Sequence, residues 1–172
     1  MLQLGIPVAF DIKCEDKNEP TLGLELVSNG GMESGNPPTG WSVINSPDTF
    51  EQSGVKKHGG SYSAHVIDSS SPSYRGMASP AMSRIAGKKY KLSFWYYLAD
   101  GGIEVDIRTG DNSDYLTTLS ISSPATTWAL YEYIFTETNT GSTGYLWFRN
   151  ISGILPAEFY IDDVSVKELI QQ

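Results

Sequence analysis

The chain of 172 residues holds one cysteine, Cys14, so no disulfide can form within it, and it has only two histidines, His58 and His65. A lone cysteine points to assembly in a reducing compartment, with Cys14 itself read as a small buried hydrophobe. Neither histidine sits at a metal-ligand or Ser/His spacing. Apolar runs are short, and none approaches the length that crosses a bilayer. The opening residues, MLQLGIPVAFDIKCED, lack the basic start, long apolar stretch and small-residue cleavage site of a secretion signal. Basic residues are scarce as well: 12 Lys and Arg stand against 20 Asp and Glu, for a net charge of −8, and no basic cluster exceeds two adjacent residues. Such a chain gains little from counterion release, which argues against nucleic acid and against insertion into or binding to an anionic membrane. No helical period persists beyond a few residues, and nothing repeats at the scale of solenoids or propellers.

What is present is aromatic and rich in turns. Ten Tyr, six Phe and four Trp accompany 17 Gly and frequent Ser, Thr and Asn, the composition of a β protein. A hydrophobic content of 40% over this length is enough for one core. Residues 1–22 stand apart: apolar LGIPVAFDI is followed by the polar connector KCEDKNEPT, which reads as an extended N-terminal arm ahead of a single domain, residues 23–172. Within that domain side chains alternate as in strands. KKYKLSFWYYL puts Tyr90, Leu92, Phe94, Tyr96 and Leu98 on the core face. Ile103, Val105 and Ile107 point inward in the next segment, as do Leu146 and Phe148 in GYLWFRNI, while Tyr131, Tyr133 and Phe135 share one face. Turn segments such as DGG, TGDNSD, SSPAT and NTGSTG separate these runs and predict an all-β, two-sheet antiparallel sandwich. The run Asp111-Asn112-Ser113-Asp114 lacks the Gly and distal Glu of a calcium loop and reads as a solvated hairpin tip. Asn150-Ile151-Ser152 fits a glycosylation sequon but reads as a strand end.

The positions facing away from the core carry the candidate chemistry. Trp95, Tyr97, Arg108, Tyr145, Trp147 and Arg149 form one outer face if their strands share a sheet, with Glu104 and Asp106 among them. Aromatic platforms beside acids and guanidinium groups suit sugar rings, whose C–H faces stack while their hydroxyls bond to charged groups. The same residue types favour a protein–protein interface. Trp95 and Trp147, as outward residues, are expected to matter little for stability. Acid pairs arise by chance among 20 carboxylates, and the chain is read as a non-enzyme.

Five ordered segments, LVSNGGMESGNPPTGW, KKHGGSYSAHV, IAGKKYKLSFWYY, TTWALYEYIFT and FYIDDVSVKEL, together resemble the family four and nine group of carbohydrate-binding modules over about residues 24–169. The resemblance implies a galactose-binding-like jelly-roll β-sandwich with a structural Ca2+ ion and a glycan groove on the concave sheet. It matches Asn29, Gly30 and Glu33 to the family's calcium-binding turn, Asp162 and Asp163 to its acidic pair, and the backbone around His58, Gly59 and Gly60 to its third contributor. If Val164 and Val166 lie in the core, Asp162 points inward with them and is the better metal ligand beside Glu33, unless a bulge resets the register. The other reading is that Glu33 and Asp162 cap turns by accepting backbone amides. Trp41 and Trp128 match family core positions. The expected function is a non-catalytic module of this kind serving as a structural or decoration protein of a phage virion, with glycans as further partners and with the arm and tail held by other subunits. The alternative is a module of a secreted or cell-surface polysaccharide-degrading enzyme or adhesin.

Overall fold

A computed structural model describes residues 20–69, 74–108, 115–139 and 143–170. Cys14, the 111–114 hairpin tip, and the arm up to residue 19 lie outside the described residues. So does the end of the tail. The described strands are β1 (Thr21–Glu25), β2 (Ser42–Ile44), β3 (Thr49–Ser53), β4 (Ser63–Asp68), β5 (Gly76–Ala78), β6 (Met82–Ser83), β7 (Lys89–Asp100), β8 (Ile103–Arg108), β9 (Tyr115–Ile121), β10 (Ala125–Thr136), β11 (Thr143–Asn150) and β12 (Ala157–Ile170). Since β1 starts at Thr21, the last residues of the expected arm belong to the sandwich.

Two antiparallel sheets face each other. Sheet I runs β10-β7-β12-β4-β3, with β1 also on β12; sheet II runs β2-β5-β11-β8-β9, with β6 also on β11. This is the two-sheet jelly-roll sandwich expected, and the alternation expected in the sequence holds for the core. Leu92, Phe94 and Leu98 of β7, Ile103, Val105 and Ile107 of β8, and Leu146 and Phe148 of β11 are all fully buried. Phe94 of sheet I meets Phe148 of sheet II edge to face, with centroids 5.1 Å apart, which interlocks the layers. Trp41 joins them, 6.1 Å from Phe148, and its indole N–H donates to the Asn29 carbonyl at 3.1 Å. Asn29 in turn clasps its own loop, donating to Ser34 O and Thr39 O and accepting from Ser34 N. The expected structural role of Trp41 therefore has a local cause: it bolts the glycine-rich turn to the core. Asn150 is buried, and its amide donates to Asp68 and accepts from Arg75 N.

Two irregularities break the alternation. Between Ala125 and Ala129, β10 spends four residues where β7 spends two, Leu98 to Tyr96. Trp128 sits in this stretch and turns outward, edge-on to Tyr97 and His58. Its expected core position is thus corrected. The second is in β12, where Asp162 pairs with Trp95 and Ser165 with Ser93, three residues against two. The extra residue is Asp163, at φ +48°. Phe159 and Ile161 point into the core before the bulge, and Val164 and Val166 after it. Asp162 therefore lies on the outer side with Trp95, and the inward placement expected from Val164 is corrected by the bulge.

Candidate functional site

The six outward residues do not share a face, because β7 belongs to sheet I while β8 and β11 belong to sheet II. Trp95 and Tyr97 lie on one side of the sandwich; Arg108, Tyr145, Trp147 and Arg149 lie on the other. Sequence alternation fixes which side of its own strand a residue occupies and carries no information on which sheet the strand joins.

On sheet II the register brings Tyr145 opposite Arg108, Trp147 opposite Asp106 and Arg149 opposite Glu104. Cations and rings interleave there. The Arg108 guanidinium lies 3.9 Å from the Trp147 ring centre and 4.3 Å from that of Tyr115, and Arg149 lies 3.9 Å from that of Tyr74. Arg149 Nη2 pairs with Glu104 at 3.1 Å, and Arg149 Nε stands 2.8 Å from Asp106 Oδ2 without lying along the hydrogen-bonding direction. The other Asp106 oxygen accepts from Thr118 Oγ1 at 2.7 Å. Asp106, Arg108 and Arg149 are buried although they point away from the core. Burial pushes the Glu104 carboxyl above its ordinary range, with Asp106 adding to the rise and Arg149 opposing it. Nothing in the local pattern marks Tyr74 or Tyr115; the second meets Arg108 only through the β8–β9 pairing.

On sheet I the outward aromatics are roofed by the chain itself. The loop between β3 and β4 folds back so that the His58 ring stacks on Trp95 at 3.7 Å and 12°. Lys56 Nζ lies 4.1 Å from the Tyr97 ring centre. The loop is anchored by Asp162, whose Oδ2 accepts from His58 N at 2.8 Å and Gly59 N at 3.1 Å, while Oδ1 accepts from Asp163 N. Burial raises Asp162 to about 6, against these backbone hydrogen bonds, which favour its charged form. Further along, His65 stacks on Tyr160 at 4.1 Å and lies between Glu51 and Glu158, at 3.1 and 3.2 Å.

Glu33 and the acidic pair do meet at this loop. Glu33 Oε1 accepts from Ser61 N and Tyr62 N at 2.8 and 3.0 Å. Asp163 Oδ2 lies 2.7 Å from His58 Nδ1. A Cβ on Gly60, whose φ is +51°, would come within 2.2 Å of Glu33 Oε1, and one on Gly59 within 2.8 Å of Asp163 Oδ2. The glycines thus leave room around two carboxylates and nothing bulkier. Both Asp162 oxygens point at N–H groups, an arrangement that disfavours a cation there. Glu33 and Asp163 each keep an oxygen turned from those donors, so this pair fits a hard cation better than Glu33 with Asp162. Among the described residues no group of three or more His, Cys, Asp or Glu side chains is placed to hold a metal, so any ion would need backbone carbonyls in addition.

A carbohydrate binding domain profile matches residues 24–150, well over half of the chain. The chain belongs to this family. No curated protein sequence is detectably similar to this family member. Among solved structures, a xylan-binding domain from Paenibacillus barcinonensis is 13% identical at a TM-score of 0.60, covering 89% of this chain and 97% of that one. A cyclase from Fischerella sp. TAU is 13% identical at a TM-score of 0.67, covering 88% of this chain and all of that one. The enzymatically active domain of tailspike protein 4 from bacteriophage CBA120 is 13% identical at a TM-score of 0.67. That match covers 84% of this carbohydrate-binding-family chain and only 21% of the tailspike chain. At such identities the likeness is one of fold.

Proposed function

We propose that the outer face of sheet II binds glycans and that this family member acts by binding, without catalysis. One observation carries the reading: a network of side chains, with Arg108 stacked on Tyr115 and Trp147, and Arg149 stacked on Tyr74 and joined to Asp106 and Glu104, lies on the outer side of sheet II. Stacked rings offer flat apolar area, and the charged groups can exchange partners for sugar hydroxyls without moving the chain. Both acids are tied to Arg149, which leaves neither set up as a free proton carrier. Affinity electrophoresis over a polysaccharide panel tests this, with xylan included because the Paenibacillus neighbour is a xylan-binding domain. The parent should be retarded by one or more polymers, and Trp147→Ala and Tyr115→Ala should abolish the retardation while melting as folded proteins. Equal loss from Trp95→Ala, or no retardation of the parent by any polymer, would overturn it.

A calcium ion held by Glu33 and Asp163, completed by backbone oxygens of the adjoining glycine turns, is proposed as a staple between the first turn and the last strand. It would supply stability rather than chemistry, and melting with and without chelator checks it. The setting proposed is a larger assembly, a phage head or tail component, supported by the tailspike whose chain is several times longer than the matching region. Antibody labelling of purified particles tests that setting; labelling confined to the surface of producing cells would favour the module of an enzyme or adhesin.

A further inference from the structure

At the end of sheet I away from Trp95 lies a groove of different character. Pro20, Leu22, Lys91, Glu132, Tyr133, Ile134 and Leu169 line it. Leu22 faces Leu169 across β1 and β12, and Ile134 faces Lys91 across β10 and β7. Leu22 is 45% and Ile134 57% exposed, an open aliphatic surface on an outward sheet face. Tyr133 is partly buried and packs against the core, and the exposed branched aliphatic side chains give no flat platform for a sugar ring. Lys91 and Glu132 satisfy each other at 2.7 Å, so the polar groups on the floor seek no ligand. The surface wants an apolar cover.

We propose that the cover is the chain's own residues 4–12. LGIPVAFDI sets Leu4, Ile6, Val8, Phe10 and Ile12 at every second position, an apolar set matched to a shallow aliphatic groove. The connection is short: the described chain starts at Pro20, itself part of the groove wall, and residues 13–19 span at most about 25 Å when extended. A tether of that length keeps the segment at an effective concentration in the millimolar range, which favours the same chain over a neighbouring copy. The seven connecting residues, KCEDKNE, are charged or polar apart from Cys14 and have no apolar face of their own to bury. On this proposal the arm covers its own domain in place of the other subunits expected from the sequence.

The test uses the full chain with Cys14→Ser and Val8→Cys, carrying a nitroxide at residue 8 and uniform nitrogen-15. The amide signals of Lys91, Ile134 and Leu169 should lose most of their intensity and regain it when the nitroxide is reduced, while those of β8 and β9 on the opposite sheet stay unchanged. Mixing unlabelled nitroxide-bearing chain with nitrogen-15 chain lacking the nitroxide should leave the groove signals intact. Adding Phe10→Asp should restore the lost signals while the β8 and β9 signals keep the positions they have in the folded parent. Undiminished groove signals, or broadening spread evenly over both sheets, would overturn the docking; broadening in the mixed sample would overturn the assignment to the same chain.

Discussion

The two outer faces of this sandwich carry similar residues and differ in what covers them. On sheet I, Trp95 lies beneath His58, and the loop bearing His58 is pinned through its backbone amides by Asp162. On sheet II, Trp147 lies beneath Arg108, a side chain whose guanidinium is shared with Tyr115. To uncover Trp95, a ligand would have to displace main chain and break buried hydrogen bonds to a carboxylate, each costing about 1.5–3 kcal/mol. Over Trp147 the described residues place a side-chain stack, which a ligand can exchange for its own. Similar outward positions thus become a structural prop in one sheet and a candidate binding surface in the other. The difference shows that an aromatic's availability depends on its roof as much as on its parity.

The comparison presupposes that both faces rest on one intact core. Phe94→Ala removes a fully buried ring that meets Phe148 of the opposite sheet, and it should cost about 3–5 kcal/mol in urea unfolding. A smaller cost than that of Trp95→Ala would mean that the roofed face, and not the sheet contact, holds the domain. Next in size is the proposed calcium: at a hundredfold excess over its dissociation constant an ion bound only by the native state adds about 2.7 kcal/mol. Chelator should lower the melting temperature of the parent, and Glu33→Gln should erase the difference. Superimposed parent curves with and without chelator would remove the ion from the sheet I side.

The two tryptophans then separate the faces directly. Trp95→Ala should cost about 2 kcal/mol, because it empties the space under the His58 loop, and should leave polysaccharide retardation intact. Trp147→Ala should cost less than about 1 kcal/mol and abolish retardation. The reverse pattern would exchange the roles of the sheets. The smallest expected effect is one of pH. The folded Asp162 value of about 6 lies above the ordinary 3.8, so protons are bound more tightly by the folded chain. The stability this contributes is full below pH 3.8 and is lost as pH rises through about 6. In chelator, the stability of the parent relative to Asp162→Asn should therefore decline between those values, while Glu104→Gln on the other sheet should leave that decline unchanged. A parent-minus-variant difference that rises with pH would show that the three amide hydrogen bonds outweigh burial.

Alternation alone made much of the core legible. Phe94, Val105 and Phe148 needed only the two-residue period of a strand, since a residue on the wrong side would expose a ring or bury a charge. The resemblance added the family and the meeting of Glu33 with the acidic pair. It misplaced Trp128, because two extra residues in β10 leave no mark in the local pattern. Asp162 was misread for a similar reason: Val164 and Val166 gave the parity after the bulge, while Phe159 and Ile161 gave it before, and only the pairing with β7 shows where the step falls.

By itself, then, the sequence determined the inward half of β7, β8 and β11 and the turn that Trp41 closes, because these depend on neighbours two to twelve residues away, and it determined the family through five ordered segments. The tertiary structure decided which strands share a sheet, so that Trp95 and Trp147 came to lie on opposite sides. It also decided which outward ring is roofed. Both depend on contacts such as His58 with Asp162, more than a hundred residues apart in the chain, whose pairing no local period encodes.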